Sequence, residues 1–98
     1  MDAELEFTFD GTVVEWRGPA PFVFLPLPPD EAEVVAESAR ELTYGWGVIP
    51  VRARIGATDF TTSLFPRDGG YLLPVKVAVQ RAEVVGVGEK VHVLLRLG

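Results

Sequence analysis

Apolar and polar residues alternate along most of this chain, and the alternation breaks only where proline, glycine or a helical spacing takes over. Leu5, Phe7 and Phe9 alternate with Glu4, Glu6 and Thr8, which predicts an opening strand with one wet face. After Asp10-Gly11 the apolar parity passes to Val14 and Trp16, so a bulge or bend is predicted between Gly11 and Val14. Arg17-Gly18-Pro19-Ala20-Pro21 reads as a loop, and Phe22 to Leu25, apolar on both parities, as a strand covered on both faces. Pro26, Pro28 and Pro29 have no N–H to donate, so pairing is expected to weaken from Pro26 onward.

A helix is predicted from Asp30, a favoured N-cap with Glu33 three residues on as its capping-box partner and Glu31 adding charge to the positive end of the dipole. Val34, Val35, Ser38, Ala39 and Leu42 make its apolar stripe, Glu33, Glu37, Arg40 and Glu41 lie mainly outside it, and Gly45 within Tyr44-Gly45-Trp46-Gly47 is placed for a left-handed cap. Val51, Ala53 and Ile55 then alternate with Arg52 and Arg54 behind Pro50, and Gly56-Ala57-Thr58-Asp59 connects that strand to the next. Phe60 to Phe65 alternates again until Pro66 is expected to stop it. Arg67-Asp68-Gly69-Gly70 supplies the residues of a tight reversal, and Tyr71 to Val75 restarts an extended run, so this stretch is a hairpin. Val75 and Val79, and Ala78 and Ala82, are four apart, which predicts a short helix over Val75 to Ala82. Gly86 to Lys90 reads as a turn, and Val91, Val93, Leu95 and Leu97 alternate with His92, Leu94 and Arg96 in a closing strand.

About six strands, one surface helix and one short helical turn predict a mostly β domain, a small, mainly antiparallel six-stranded barrel or strongly bent sheet over residues 1–98. The helix can plug one open end. A barrel this small is filled by its own side chains, so a site is expected on a rim or an outer groove.

Composition narrows the chemistry more than the architecture. At 98 residues, with 48 % hydrophobic and 23 % charged, the chain suits one packed domain. The absence of cysteine excludes disulfides, thiolate metal sites and thiol nucleophiles. Met1-Asp2-Ala3-Glu4-Leu5-Glu6 is acidic where a signal peptide is basic, and no apolar run approaches the ~18 residues of a membrane span, so a cytoplasmic protein without a membrane partner is expected. The net charge of −5 argues against nucleic acid as a general partner. It is unevenly spread. Between Arg52 and Arg81 five cations (Arg52, Arg54, Arg67, Lys76, Arg81) stand against Asp59 and Asp68, a balance of +3, and the remainder holds four cations against twelve anions, a balance of −8. Such a split would give an acidic face and a mildly basic one around the hairpin.

The run of Trp16, Pro21 to Leu25, Pro26 to Asp30 with its helix, Ile55-Gly56, Phe60 to Pro66, Gly69-Gly70-Tyr71-Leu72-Leu73-Pro74-Val75-Lys76 and Val87-Gly88-Glu89-Lys90-Val91-His92-Val93 resembles the bacterial domain-of-unknown-function family nineteen-oh-five over nearly the whole chain. The resemblance implies a small β-barrel of the double-split class shared with transition-state regulators and antitoxins, found alone or ahead of a domain associated with bacteriocin protection, with no established activity. Two departures stand out: Gln80 where the family tends to place an arginine, with Arg81 beside it as a substitute, and Gly88-Glu89 in place of the usual Gly-Asp.

Enzymatic motifs are absent. His92, the single histidine, lies on the polar parity of the last strand with no partner identified by the sequence, so it reads as a solvated strand residue rather than a base. One histidine and scattered carboxylates make no metal site, and no cofactor is expected. Glu31, Glu33, Glu37 and Glu41 are the wet face of a helix rather than paired catalytic acids, and Gly69-Gly70 and Gly86-Val87-Gly88 are turns rather than phosphate loops, since neither opens a helix after a strand. Trp16, Tyr44 and Trp46 are expected to close the core. The strongest candidate is cationic: Arg52 and Arg54 on one strand face, Arg67 in the hairpin turn and Lys76 after it, with Ser63 and Tyr71 as hydroxyl donors. The expected function is non-enzymatic binding of a protein partner or a small anionic ligand, in a domain able to form a homodimer through an open sheet edge. The alternatives are a small enzyme whose site is completed by a partner or second subunit, and a DNA-binding regulator by fold analogy alone.

Overall fold

Two long stretches, each bent so that it serves two sets of neighbours, organise the molecule. The structure, a computed structural model, describes residues 5–16, 22–42 and 48–97; the loop expected at Arg17 to Pro21, the helix end expected at Tyr44 to Gly47 and the side chain of Trp16 lie outside that description. Seven strands and two helices follow in the order β1 (Leu5–Thr12), β2 (Val14–Trp16), β3 (Phe22–Pro26), α1 (Pro29–Leu42), β4 (Ile49–Ile55), β5 (Thr58–Arg67), β6 (Gly70–Pro74), α2 (Val77–Glu83) and β7 (Lys90–Leu97). They form one sheet in the order β1-β7-β4-β5-β6-β3-β2, antiparallel throughout.

The two edge strands, β1 and β2, are successive parts of one stretch. The sheet therefore curls into a half-barrel whose edges meet at Val13. Before that residue the stretch pairs with β7, and after it with β3. β5 divides in the same way at the opposite corner: Thr58 to Leu64 pair with β4, and Phe65 to Arg67 with β6. This is the double-split arrangement that the resemblance implies. The strand count is seven rather than six because Val13 cuts the first strand in two.

The bend expected between Gly11 and Val14 falls at Val13, but the parity argument behind it needs correcting. Phe9, Gly11 and Val13 all face inward and Val14 is 39 % exposed. An exchange of partners turns the chain: Val13 still donates to the Glu89 carbonyl at 2.9 Å and accepts from the Gly88 N–H at 2.8 Å, while Val14 already lies opposite Phe24. Elsewhere alternation holds. In β4 the residues from Ile49 to Ile55 alternate buried and exposed without a break, and in β7 Val93, Leu95 and Leu97 are buried. β3 is covered on both faces at its centre, since Leu25 belongs to the core and Phe24 packs edge-on against Phe65, ring centroids 5.3 Å apart, on the other side.

Pro66 does not stop β5, which runs on to Arg67. The two-residue turn Asp68-Gly69 makes Arg67 and Gly70 the closing pair, so Pro66, opposite Tyr71, occupies a wide pair whose N–H would point away from β6. On that outer side the ladder with β4 has already ended at Leu64 and Ile49. The missing donor costs nothing there. Asp68 (φ 51°) and Gly69 (φ 79°) are both left-handed, the type I′ geometry that matches the twist of a hairpin.

α1 begins at Pro29, one residue before the expected Asp30 cap. Proline at the first helical position has no N–H to leave unsatisfied, and the Ala32 N–H makes the first helical bond to the Pro28 carbonyl at 2.9 Å. Asp30 and Glu31 act on the dipole from the first turn instead. The buried stripe carries Ala32 and Val35, three apart, and leaves Val34, a further 100° round the helix, 39 % exposed. α2 forms at Val77–Glu83 and turns Val79 inward beside Val75, with Ala78 and Ala82 exposed. Val35 and Val79 thereby join the strands' inward side chains in one core that, among the described residues, holds no polar or charged side chain.

Candidate functional site

With Val51, Ala53 and Ile55 committed to the core, β4 must hold Arg52 and Arg54 outward, and its two neighbours complete a grid on that outer face. In one row Glu6, Arg96, Arg52 and Thr61 lie side by side on β1, β7, β4 and β5; in the next, Thr8, Leu94, Arg54 and Asp59 do. Arg52 and Arg96 are thus direct cross-strand neighbours, with Arg54 one row along. Together with Thr61, Leu94 and Asp59 they line a shallow groove of about 300 Å³. Arg96 Nε donates to Glu6 Oε2 at 2.7 Å, and Arg54 Nη1 lies 3.5 Å from Asp59 Oδ2 while its Nε donates to the Gly56 carbonyl at 3.2 Å. Half-exposed pairs of this kind contribute little to stability. Their effect is to orient the cations over the groove.

The six residues singled out from the sequence fall in different places. Arg52 and Arg54 meet in this groove. Ser63 shares the outward parity of Thr61 but lies opposite Pro50, two positions along β5, and is half-buried. Arg67 and Tyr71 line a second groove, about 360 Å³, with Phe24, Pro26 and Leu72 on the other half of the sheet. There Arg67 Nε lies 3.7 Å from Asp68 Oδ2, and Tyr71 packs against the core while its carbonyl accepts from the Leu27 N–H at 3.0 Å. Lys76 precedes α2, exposed, and gives its carbonyl to the N–H groups of Val79 and Gln80, both at 3.0 Å. The cations between Arg52 and Arg81 are therefore shared among the β4 face, the β5–β6 turn and α2.

Arg96 was missed as a member of the groove. Its outward parity in the last strand was legible, but its position beside Arg52 depends on a pairing across some forty residues of chain. The partner of His92 was missed for the same reason: Nδ1 of His92 and Oδ1 of Asp10, 82 positions apart, are 2.7 Å from each other because β1 and β7 set them opposite. A third hollow, about 240 Å³, lies where the end of α2 meets the start of β7 and includes Glu83, Lys90 and His92. Among the described residues no group of three histidines or carboxylates could hold a metal ion, and no helix is long and apolar enough to cross a membrane.

Gln80 and Glu89 have structural uses here. Gln80 Nε2 donates to the Val75 carbonyl at 2.8 Å and ties the start of α2 to its body, and Glu89 Oε1 accepts from the Gly86 N–H at 2.8 Å, closing the turn before β7. No curated protein matches the chain. The model of the family described as a domain of unknown function, DUF1905, matches residues 9–95, and the chain belongs to this family.

Proposed function

We propose that the chain is a non-enzymatic binding module that takes a small anionic ligand, or an anionic group of a protein partner, in the groove over β4. The observation that supports this is the direct apposition of Arg52 and Arg96. Two guanidinium groups side by side, one of them oriented by Glu6, present a set of donors that a single anion can span. The groove lining holds three arginines against one aspartate in a protein whose net charge is −5. Guanidinium groups suit carboxylates and phosphates because their planar forks donate two parallel hydrogen bonds, and the Thr61 hydroxyl beside Arg52 can add a third. Leu94 supplies an apolar floor for the body of such a ligand.

Titration calorimetry at low ionic strength with inorganic phosphate and with a tricarboxylate tests this reading. Arg52→Ala and Arg96→Ala should each weaken binding about tenfold, the equivalent of one charge-assisted hydrogen bond, and Lys76→Ala should leave it unchanged. Absence of binding by the unaltered protein, or equal binding by the arginine variants, would refute it. One observation favours a second reading, a small enzyme completed by a partner or second subunit: the His92 and Asp10 pair has the spacing of a base and its orienting carboxylate. Turnover of an ester and amide panel, lost in His92→Asn, would support that alternative.

A further inference from the structure

Large apolar side chains are exposed at five described positions, Val14, Val34, Val77, Val84 and Val87, and three of the five crowd onto α2 and the turn after it. Val77 is 58 % exposed, Val84 82 % and Val87 56 %. Val84 is also strained. It caps α2 at φ 52° and ψ 50°, the left-handed region that glycine or asparagine normally fills and that a β-branched side chain enters only at a cost. Its backbone turn closes α2, with the Val85 N–H reaching the Gln80 carbonyl at 2.9 Å, but its side chain is almost wholly exposed, which directs attention to what it contacts outside its own chain.

The residues around it are arranged in a ridge. Val77 and Arg81 follow at i and i+4 on the side of α2 away from buried Val79, with Val84 exposed just past the end of the helix, while Gln80 and Glu83 are occupied internally by the Val75 carbonyl and the Thr58 hydroxyl. α1 carries the complementary sequence at the same spacing: Asp30, Val34 and Glu37 lie on its outer side, away from Ala32 and Val35. One ridge reads apolar, cation, apolar; the other reads acid, apolar, acid. Asp30, Glu37 and Arg81 have no ion-pair partner among the described residues.

From this complementarity we infer that the α2 ridge docks on the α1 ridge of a second copy of the chain. Shifted by one helical turn, the two ridges set Arg81 against Glu37 and one valine of α2 against Val34, with the other valine and Asp30 left at the ends of the contact. Copies of net charge −5 otherwise repel, so the contact depends on the cationic character of α2, where Lys76 adds to Arg81. It uses no residue of the groove over β4, and neither proposal stands or falls with the other. Because the two ridges differ, the contact is heterologous and copies can add in succession. Two short helices bury less than the roughly 800 Å² per partner of a standard interface, so the association is weak.

Sedimentation velocity and light scattering on the full chain, from about 10 µM to about 1 mM, bracket such an affinity. Mass should rise with concentration at about 0.15 M salt, which screens the long-range repulsion between copies. Val84→Gly removes the apolar anchor while relieving the left-handed strain, so that variant stays folded by circular dichroism and should associate several-fold more weakly. Arg81→Glu should do the same, and Glu37→Arg added to it should restore association by reversing the pair. A protein that stays monomeric over the whole range overturns the inference, as does association indifferent to Val84→Gly and Arg81→Glu. Failure of the reversed pair to restore association overturns α1 as the docking partner.

Discussion

Glu83 closes α2 with its carboxylate laid against the turn between β4 and β5. The Thr58 hydroxyl donates to Oε2 at 2.6 Å, and the other carboxylate oxygen occupies the space a Cβ on Gly56 would need. Gly56 is itself left-handed at φ 58°, the first position of a two-residue hairpin turn. Gly56→Ala thus meets a conformational cost and a collision together, and urea unfolding should show a loss of about 1–3 kcal/mol. Adding Glu83→Ala removes the collision but not the strain, so part of that loss should return in the double variant. The sequence marks Gly56 as a turn residue. It gives no sign of Glu83 overhead, because the bond from Thr58 that holds Glu83 there crosses 25 positions and exists only once α2 has docked on β5. Arg96 beside Arg52 and Asp10 beside His92 escaped for the same reason: local pattern tells which way a side chain points, and only the pairing of strands tells what stands next to it.

Among the elements, β4 and β7 are paired on both sides, and β2 is a three-residue edge. Native-state hydrogen exchange should therefore be slowest at the amides of Val51 to Ile55 and Val93 to Leu97, and much faster in Val14 to Trp16; equal protection throughout would contradict the pairing order. The elements were also where the sequence was most legible. Alternation located β1, β4, β5 and β7, and the i, i+4 spacing located α2, because burial on one face imposes a period that survives without knowledge of the partner. Pro66 misled because its cost depends on which side of β5 carries a ladder. Val34 misled because the choice of stripe between adjacent apolar residues depends on how α1 is rotated over the core. In both cases the residue type was read correctly and the neighbour that decides its effect was out of view.

At the scale of the molecule, three sheet neighbourhoods, β1–β7, β7–β4 and β6–β3, join strands far apart in the chain. β1 pairs with the last strand, and β3 with β6, so the core assembles only when distant parts of the chain meet. Leu95 is fully buried where β1 and β4 flank β7, opposite Phe7 and Ala53. Leu95→Ala should cost about 2–5 kcal/mol, with fluorescence and circular dichroism reporting a single coincident unfolding transition.

The register of β1 against β7 also fixes how the fold answers to tension. Leu5, at the start of β1, lies opposite Leu97, at the end of β7, so both outer ends of the ladder are at the same corner. A pull between those two residues loads the hydrogen bonds one rung at a time, from Leu5 and Leu97 toward Thr12 and Lys90, as a zipper opens. A pull between Leu5 and Lys90 acts along the strands and loads every rung at once. Single-molecule stretching should find the first direction yielding at much lower force than the second, which makes this corner the point from which the half-barrel is most readily peeled apart.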